Sequence, residues 1–571
     1  MMRFKMGLWL LAIFFAFTVD HNKYPTDYFA APIANVPLLL AGTFGELRPN
    51  HFHAGIDIKG VVGTPIYAAA DGYVSKISVS GNGYGKMLLL AHPNGYATLY
   101  AHMDQFSPEI NAFVKAVQYE KERFELDLNL SPTQIPLKKG DKIGTIGMTG
   151  ATLGPHLHFE IQDIKNNDPI NPLLFGLKVL DTKPQKMHQL KVYYLNEKNE
   201  TFGSQIHTLT KKDATYAVVG DTLRLPAEKT GFGIKVFDHM DHVDNWNGVY
   251  ALSLTQDDSL IYQFDFETFP NLDTRYLNAH LDYEEQIRKN GYFNRCFRLA
   301  NNKLPIYHNK KNDGIISLKK KQVHKMEIIT TDLHGNDTKL RFWIKQDSLL
   351  RSHPSGSYNY FLPCKEENII EDKGLIVYFP YDTFYENLYF RYQKTEENSS
   401  HICSSVYQIH NTKTPVHKYF SVYIQPTKLP AELKHKAFIA FCNENGTTIN
   451  YGGEWKDDML RAEVLSLGDY CIMIDTIAPS IKPVLFKPSM KGYKKITFKI
   501  SDNIAGSKNV TPLKYRATID GQWILMEYDA KNRLLTHTFE KSIAKGKHHL
   551  HLSVTDAMNN QKIFEKDFVL Q

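Results

Sequence analysis

The sequence predicts a mainly β protein: a β-rich domain with a helical insertion, followed by immunoglobulin-like β-sandwich domains. Three observations carry this expectation. Short apolar runs broken by glycine turns fill the chain from about Pro32 to Phe175, and strands and turns continue almost throughout after Leu177. The period changes to a helical one between Ser107 and Pro136. Two distant segments, HKMEIITTDLHGN from His324 and HHLHLSVTDAMNN from His548, repeat one strand-and-turn pattern.

A chain of 571 residues is too long for one compact core and calls for roughly three to five domains. Aromatic content of 12% and hydrophobic content of 43% exclude a disordered chain. The net charge of +6 is small for this length and suits a polyanionic surrounding such as a cell wall, although solubility explains it equally well. At the start, Arg3 and Lys5 precede an apolar run from Gly7 to Val19, shorter than the ~18 residues of a spanning helix and matching a secretory h-region. Ala16 and Thr18 mark a cleavage site weakly, and no cysteine follows that would take a lipid. Export is therefore expected, to the periplasm or cell envelope, with residues 1–19 as signal peptide or N-terminal anchor. The cysteines, Cys296, Cys364, Cys403, Cys442 and Cys471, show no CxxC spacing, so neither a zinc knuckle nor a thioredoxin-type site is indicated.

Ile66 to Ala70 and Tyr73 to Val79 read as a hairpin across Asp71-Gly72, and Met87 to Ala91 with Tyr96 to His102 as another across Pro93-Asn94-Gly95. Ile110, Phe113, Val114 and Val117 share one helical face, with Ser107 as N-cap and Pro108 at the first helical position. Phe124, Leu126, Leu128 and Leu130 then alternate as a strand. The domains expected are 20–178, with an insertion at about 107–136, a β-sandwich at 179–346, a second β domain at 347–475 and an immunoglobulin-like sandwich at 476–571.

The stretch GPHLHFEI, Gly154 to Ile161, carries His156 and His158 two apart, on one side of a strand whose Leu157, Phe159 and Ile161 face the core. HLH alone proves nothing: it recurs at His549 and His551, where the sister repeat has Lys325 and Glu327 and a solvent-facing row suffices. Upstream, NHFHAGIDIKG contains His53 and Asp57, which a straight strand would hold ~13 Å apart. Gly55, Ile56 and Ile58 disfavour a helix, so a bend near Gly55 is needed to bring the two together. His53, Asp57 and one histidine of the pair then offer two nitrogens and a carboxylate oxygen, a zinc set with one position left for water.

HAGID (His53–Asp57), GTPIYAAADGYV (Gly63–Val74), YAH (Tyr100–His102), KKGDKIGTIGMTG (Lys138–Gly150) and GPHLHFEI together resemble the lysostaphin-type (LytM-like) zinc metallopeptidases, over about residues 40–175. The resemblance implies one zinc ion per chain held by His53, Asp57 and His158, with His102 and His156 lining the water and the developing oxyanion. Either of the latter two is open as the general base. It also implies peptidoglycan stem peptides as substrate and peptide cross-link hydrolysis as the reaction, with no nucleic-acid partner. The alternative is a non-catalytic scaffold or activator of another cell-wall hydrolase, in which ligand positions are lost; here all five are filled. The β-sandwiches are expected to position the enzyme, through the wall or a protein partner.

Around these residues plainer readings are expected. His51 reads as exposed or supporting, His92 as a solvated turn residue, and Tyr100 as strand packing or a substrate contact. Glu160 reads either as a ligand-orienting group or as an exposed carboxylate. DHMDHVD, Asp238 to Asp244, reads as a solvated loop in preference to a cation site. The insertion is expected to wall the cleft.

Overall fold

Apolar alternation between Leu40 and Ile170 builds a nine-stranded sheet, mainly from β1 (Leu40–Gly42), β2 (Ile56–Lys59), β3 (Gly72–Val79), β4 (Lys86–Ala91), β5 (Tyr96–Ala101), β6 (Leu126–Asn129) and β7 (His156–Asp163). The order is β1-β2-β7-β5-β4-β3-β6. The computed structural model describes residues 23–571 except 35, 348–356, 397–398, 400, 443–446, 511–512 and 541–542, so the N-terminal apolar run lies outside the described residues. Among the described residues no helix is long and apolar enough to cross a membrane.

The sheet's inner face buries Ile56, Ile58, Leu88, Leu90, Leu157, Phe159 and Ile161 in one core. Each such side chain stabilises the fold by roughly 1.5–3 kcal/mol relative to exposure. β7 is central, flanked by β2 and β5, and this placement fixes the site. A three-stranded sheet of Pro65–Tyr67, Lys142–Ile146 and Met103–Phe106 packs on the same core.

The first expected hairpin does not form. Pro65–Tyr67 pairs with Lys142–Ile146, while β3 pairs with β4. Asp71-Gly72 is a crossover between sheets: the Asp71 carboxylate accepts from Lys138 and Lys139, and Gly72 passes so close to Ala91 that a Cβ would stand 2.2 Å from its carbonyl oxygen. The β4–β5 hairpin forms as expected. His92 beside its turn is buried, not solvated, because its two ring nitrogens are used by Asp71 O and the Thr98 hydroxyl.

The helical spacing yields α1 (Pro108–Glu120). Ser107 stands at the N-cap, although its hydroxyl makes no capping bond, and Ile110, Val114 and Gln118 point inward at intervals of four. The chain returns as β6 along β3. The outer side of α1 meets the last domain: Lys115 pairs with Glu540 at 2.8 Å, the Tyr119 hydroxyl donates to Glu540 at 2.7 Å, and the Tyr119 ring meets Trp523 edge-on. The insertion therefore props the first domain against the last.

Beyond residue 178 the chain is again strands. β8 (Lys186–Leu195), β9 (Lys229–Phe237) and β10 (Val323–Thr331) belong to an eleven-stranded sheet. Residues 360–474 form a five-stranded sheet and, with Ala505–Gly506 added at one edge, a six-stranded sheet around a core that includes Phe379, Phe420 and Tyr470. The last region, with β11 (Ser480–Leu485), β12 (Lys495–Ser501) and β13 (Gly546–Thr555), packs two four-stranded sheets over Phe498, Leu535 and Leu550.

Candidate metal centre and flanking histidines

The chain bends at Gly55, where a Cβ would lie 2.4 Å from Phe159 O, so the loop before β2 approaches β7 only because that side chain is missing. The bend brings His53 Nε2 to 3.1 Å from Asp57 Oδ1, though the residues are four apart in the chain. Asp57 stands directly opposite His158 in the β2–β7 ladder. His158 Nδ1 lies 2.9 Å from Asp57 Oδ1 and 3.0 Å from His53 Nε2. Three buried donor atoms thus converge on one point.

The remaining ring nitrogens set the tautomers. His53 Nδ1–H donates to Thr43 O at 2.7 Å, which leaves Nε2 a lone pair. His158 Nε2–H donates to Glu160 Oε1 at 2.8 Å. Glu160 is itself buried and accepts from the Tyr84 hydroxyl and from Gln162 Nε2, each at 2.6 Å. Of the two readings of Glu160, the orienting one holds. On the far side of Asp57, Arg48 Nη2 binds Oδ2 at 2.5 Å and is shared with Glu46.

Burial lowers His53 to about 4, so it is a neutral imidazole at neutral pH. Burial also opposes charge on His158, but the bonds to Asp57 and Glu160 outweigh it and lift this residue to about 9. Burial pushes Asp57 up, yet the two imidazoles hold it well below the usual carboxylate range. Three lone-pair atoms about 3 Å apart repel unless something positive lies among them, a proton on His158 Nδ1 or a metal cation. Two imidazole nitrogens and one carboxylate oxygen, each anchored from behind by a hydrogen-bond partner, are a donor set that fits zinc.

Metal loading of the metal-free protein at neutral pH is therefore expected to release about one proton per chain, from His158 and not from His53. Because His158 carries its proton up to about pH 9, metal affinity should rise with pH to that point, by up to tenfold per unit, and level off above it. Calorimetry in buffers of different ionisation heat reads this directly. An identical heat in all buffers would remove His158 from the ligand set.

His102 and His156 stand beside this group. His102 follows β5 with φ at +59°, the left-handed region, a conformation that costs roughly 1–2 kcal/mol for a residue with a Cβ. Its Nδ1–H donates to Thr149 O at 2.9 Å. His156 Nδ1–H donates to Gly154 O at 2.9 Å. Each is left with an Nε2 lone pair; that of His156 lies 3.5 Å from Asp57 Oδ1. The two rings meet edge-to-face with centroids 4.8 Å apart. Burial, then the neighbouring His158 and His156, push His102 down to about 3. His156 is the most exposed of the five, so the cluster opens on its side. The turn below it is braced from the last domain: Lys531 Nζ donates to Thr152 O at 2.9 Å, and Thr152 Oγ1 to Gly154 O at 2.7 Å.

The structure thus gathers all five sequence-derived residues. It leaves out His51, which is exposed and bonded to Pro49 O, and Tyr100, which is packed in the core. Sequence reasoning missed Thr43, Arg48, Tyr84 and Thr149. Two of these act through backbone oxygens, which carry no residue signature.

The profile of Peptidase family M23 matches residues 51–119 and 129–172. This part of the chain is a lysostaphin-type M23 domain. It contains all five histidine and aspartate positions, and its break falls where α1 returns to β6. A Zu5-like domain matches residues 359–475. The M23 region is 34% identical over 125 residues to the DD-carboxypeptidase/endopeptidase Mpg of Neisseria meningitidis serogroup B, covering 22% of this chain and 23% of that protein. It is 35% identical over 138 residues to the peptidoglycan DD-endopeptidase ShyC of Vibrio cholerae, covering 24% and 26% respectively. The chain thus spans about a quarter of the length of these relatives. A zinc-containing peptidase of Vibrio cholerae aligns in structure at 25% identity with a TM-score of 0.20, covering 26% of this chain and 39% of that one.

Proposed function

We propose that the chain is an exported zinc endopeptidase that hydrolyses peptide cross-links of peptidoglycan. The observation that carries this reading is the convergence of His53 Nε2, Asp57 Oδ1 and His158 Nδ1 within 3.1 Å of one another, beside two further imidazoles. The M23 relatives named as peptidoglycan endopeptidases support the substrate class. Zinc bound there supplies water acidified to about pKa 7 and polarises a carbonyl oxygen.

The remaining chemistry belongs to side chains. Thr43 O and Glu160 hold the ligand rings in the tautomers that present lone pairs inward. Thr149 O and Gly154 O fix His102 and His156 with Nε2 as the basic nitrogen. One of these takes the proton from the attacking water and, as an imidazolium, returns it to the leaving amine. The other orients water and substrate.

Digestion of purified sacculi, with a chelator control, tests the proposal. Cross-linked muropeptides are expected to fall and monomers to rise, with no change in the chelated sample. Sacculi left intact by metal-loaded protein would overturn the hydrolase reading in favour of a scaffold or activator.

A further inference from the structure

Two clusters of aspartates share no residue with the histidine site, and they are built alike. In the first, one carboxylate oxygen from each of Asp181, Asp238 and Asp332 lies within 4.8 Å of the others; in the second, Asp475, Asp502 and Asp556 do the same. The parts correspond one to one. Asp181 and Asp475 sit in the segments that lead into β8 and β11. Asp238 directly follows β9, and Asp502 directly follows β12. Asp332 and Asp556 follow β10 and β13, the strands of the sequence repeat.

The supporting bonds correspond as well. Asn336 N and Nδ2 donate to the two oxygens of Asp332 at 2.9 and 2.8 Å, and Nδ2 also reaches Asp181 O at 3.2 Å. Asn560 N and Nδ2 donate to Asp556 at 2.7 and 2.8 Å, and Nδ2 reaches Asp475 O at 3.0 Å. Lys183 N and Ile477 N cap the first aspartate of each set in the same way. The same three-carboxylate device is thus built twice in one chain.

Such a device holds charge that must be answered. Asp181, Asp238 and Asp332 are all more than nine-tenths buried. Asp181 Oδ2 is buried with no hydrogen-bond donor; the His334 ring nitrogen Nδ1 stands 3.8 Å away. In the second cluster Asp502 Oδ1 is likewise buried without a donor. Burial, and then the neighbouring carboxylates, push Asp181 up to about 7 and Asp238 up to about 8. Of the segment DHMDHVD, then, Asp238 is not solvated: its companions come from two other parts of the chain, and Asp241 binds Thr182.

The geometry points to a pair of equivalent calcium sites, Asp181–Asp238–Asp332 and Asp475–Asp502–Asp556, one at the entry to each repeated β domain. All-oxygen, carboxylate-rich sets suit a hard cation, and calcium takes 6–8 oxygens at 2.3–2.6 Å in flexible arrangements, whereas magnesium demands near-octahedral ligands at about 2.1 Å. A cation there ties an inter-domain segment to the two strand ends behind it. The second site is the weaker one, since Asp502 is only half-buried and the Lys436 ammonium binds neighbouring Asn560 Oδ1 and Met558 O at 2.7 Å.

The test uses the full chain, zinc-loaded and then titrated with calcium chloride, read by calorimetry, thermal melting and sensitised terbium emission. Two calcium ions per chain and a calcium-dependent rise in Tm are expected. Asp238→Asn should remove one ion and Asp502→Asn the other, the double variant binding none. In chelator the sign reverses: Asp238→Asn relieves like-charge repulsion and should melt no lower than wild type. Absence of any calcium heat or terbium signal on the wild-type chain, with or without magnesium binding, would overturn the proposal. So would unchanged stoichiometry in the folded double variant.

Discussion

Replacing His158 with alanine is expected to strip the metal from the M23 domain and reduce hydrolysis to background. It removes one of three donors and leaves only His53 Nε2 and Asp57 Oδ1, 3.1 Å apart. Loss of an outer hydrogen-bond partner alone typically weakens metal binding 10–100-fold, so loss of a ligand should exceed roughly 100-fold. Metal content after dialysis, measured by plasma emission, is the readout. The substitution also removes a donor from Glu160, which would keep only Tyr84 and Gln162 as partners for a buried carboxylate. Breaking a buried pair from one side costs roughly 3–5 kcal/mol, so a lower melting temperature is expected even without metal. Full metal content in the variant would place the ion elsewhere.

His102→Ala and His156→Ala should behave in the opposite way. Neither ring is among the three converging donors, so metal content is expected to stay near wild type. Turnover should fall by about 10²–10⁴, the range for a lost general acid or base. His102→Ala also relieves little backbone strain, because alanine at φ +59° is as unfavourable as histidine. Muropeptide release under single-turnover conditions separates chemistry from binding. If either variant cut at the wild-type rate, that histidine would have no part in proton transfer.

Much of this site was legible in the sequence because it is built from strand geometry. Residues two apart share a face, and a glycine amid β-branched residues marks a bend, so His156, His158, His53 and Asp57 declare their arrangement. What lies behind them was not legible. The Thr43 and Thr149 carbonyls act through backbone atoms that every residue has, and Tyr84 reaches Glu160 from a loop without a motif. The hairpin expected at Asp71-Gly72 failed for a related reason: a local turn signal does not say which sheet the next strand joins. His92 and Asp238 are buried, not solvated, because Asp71 O and the Thr98 hydroxyl hold the first and Asp181 and Asp332 stand beside the second, contacts that no local pattern announces. The repeat, by contrast, marked two Asp-to-Asn turns whose shared role emerged only once Asp181 and Asp475 were placed beside them.

One of the contacts between the last domain and the first reaches the histidine cluster. Lys531, near the C-terminus, grips the carbonyl of Thr152, whose hydroxyl steadies the turn from which His156 hangs. Any change in how the last domain seats on the first would therefore be felt at that turn, and so at the exposed edge of the histidine cluster.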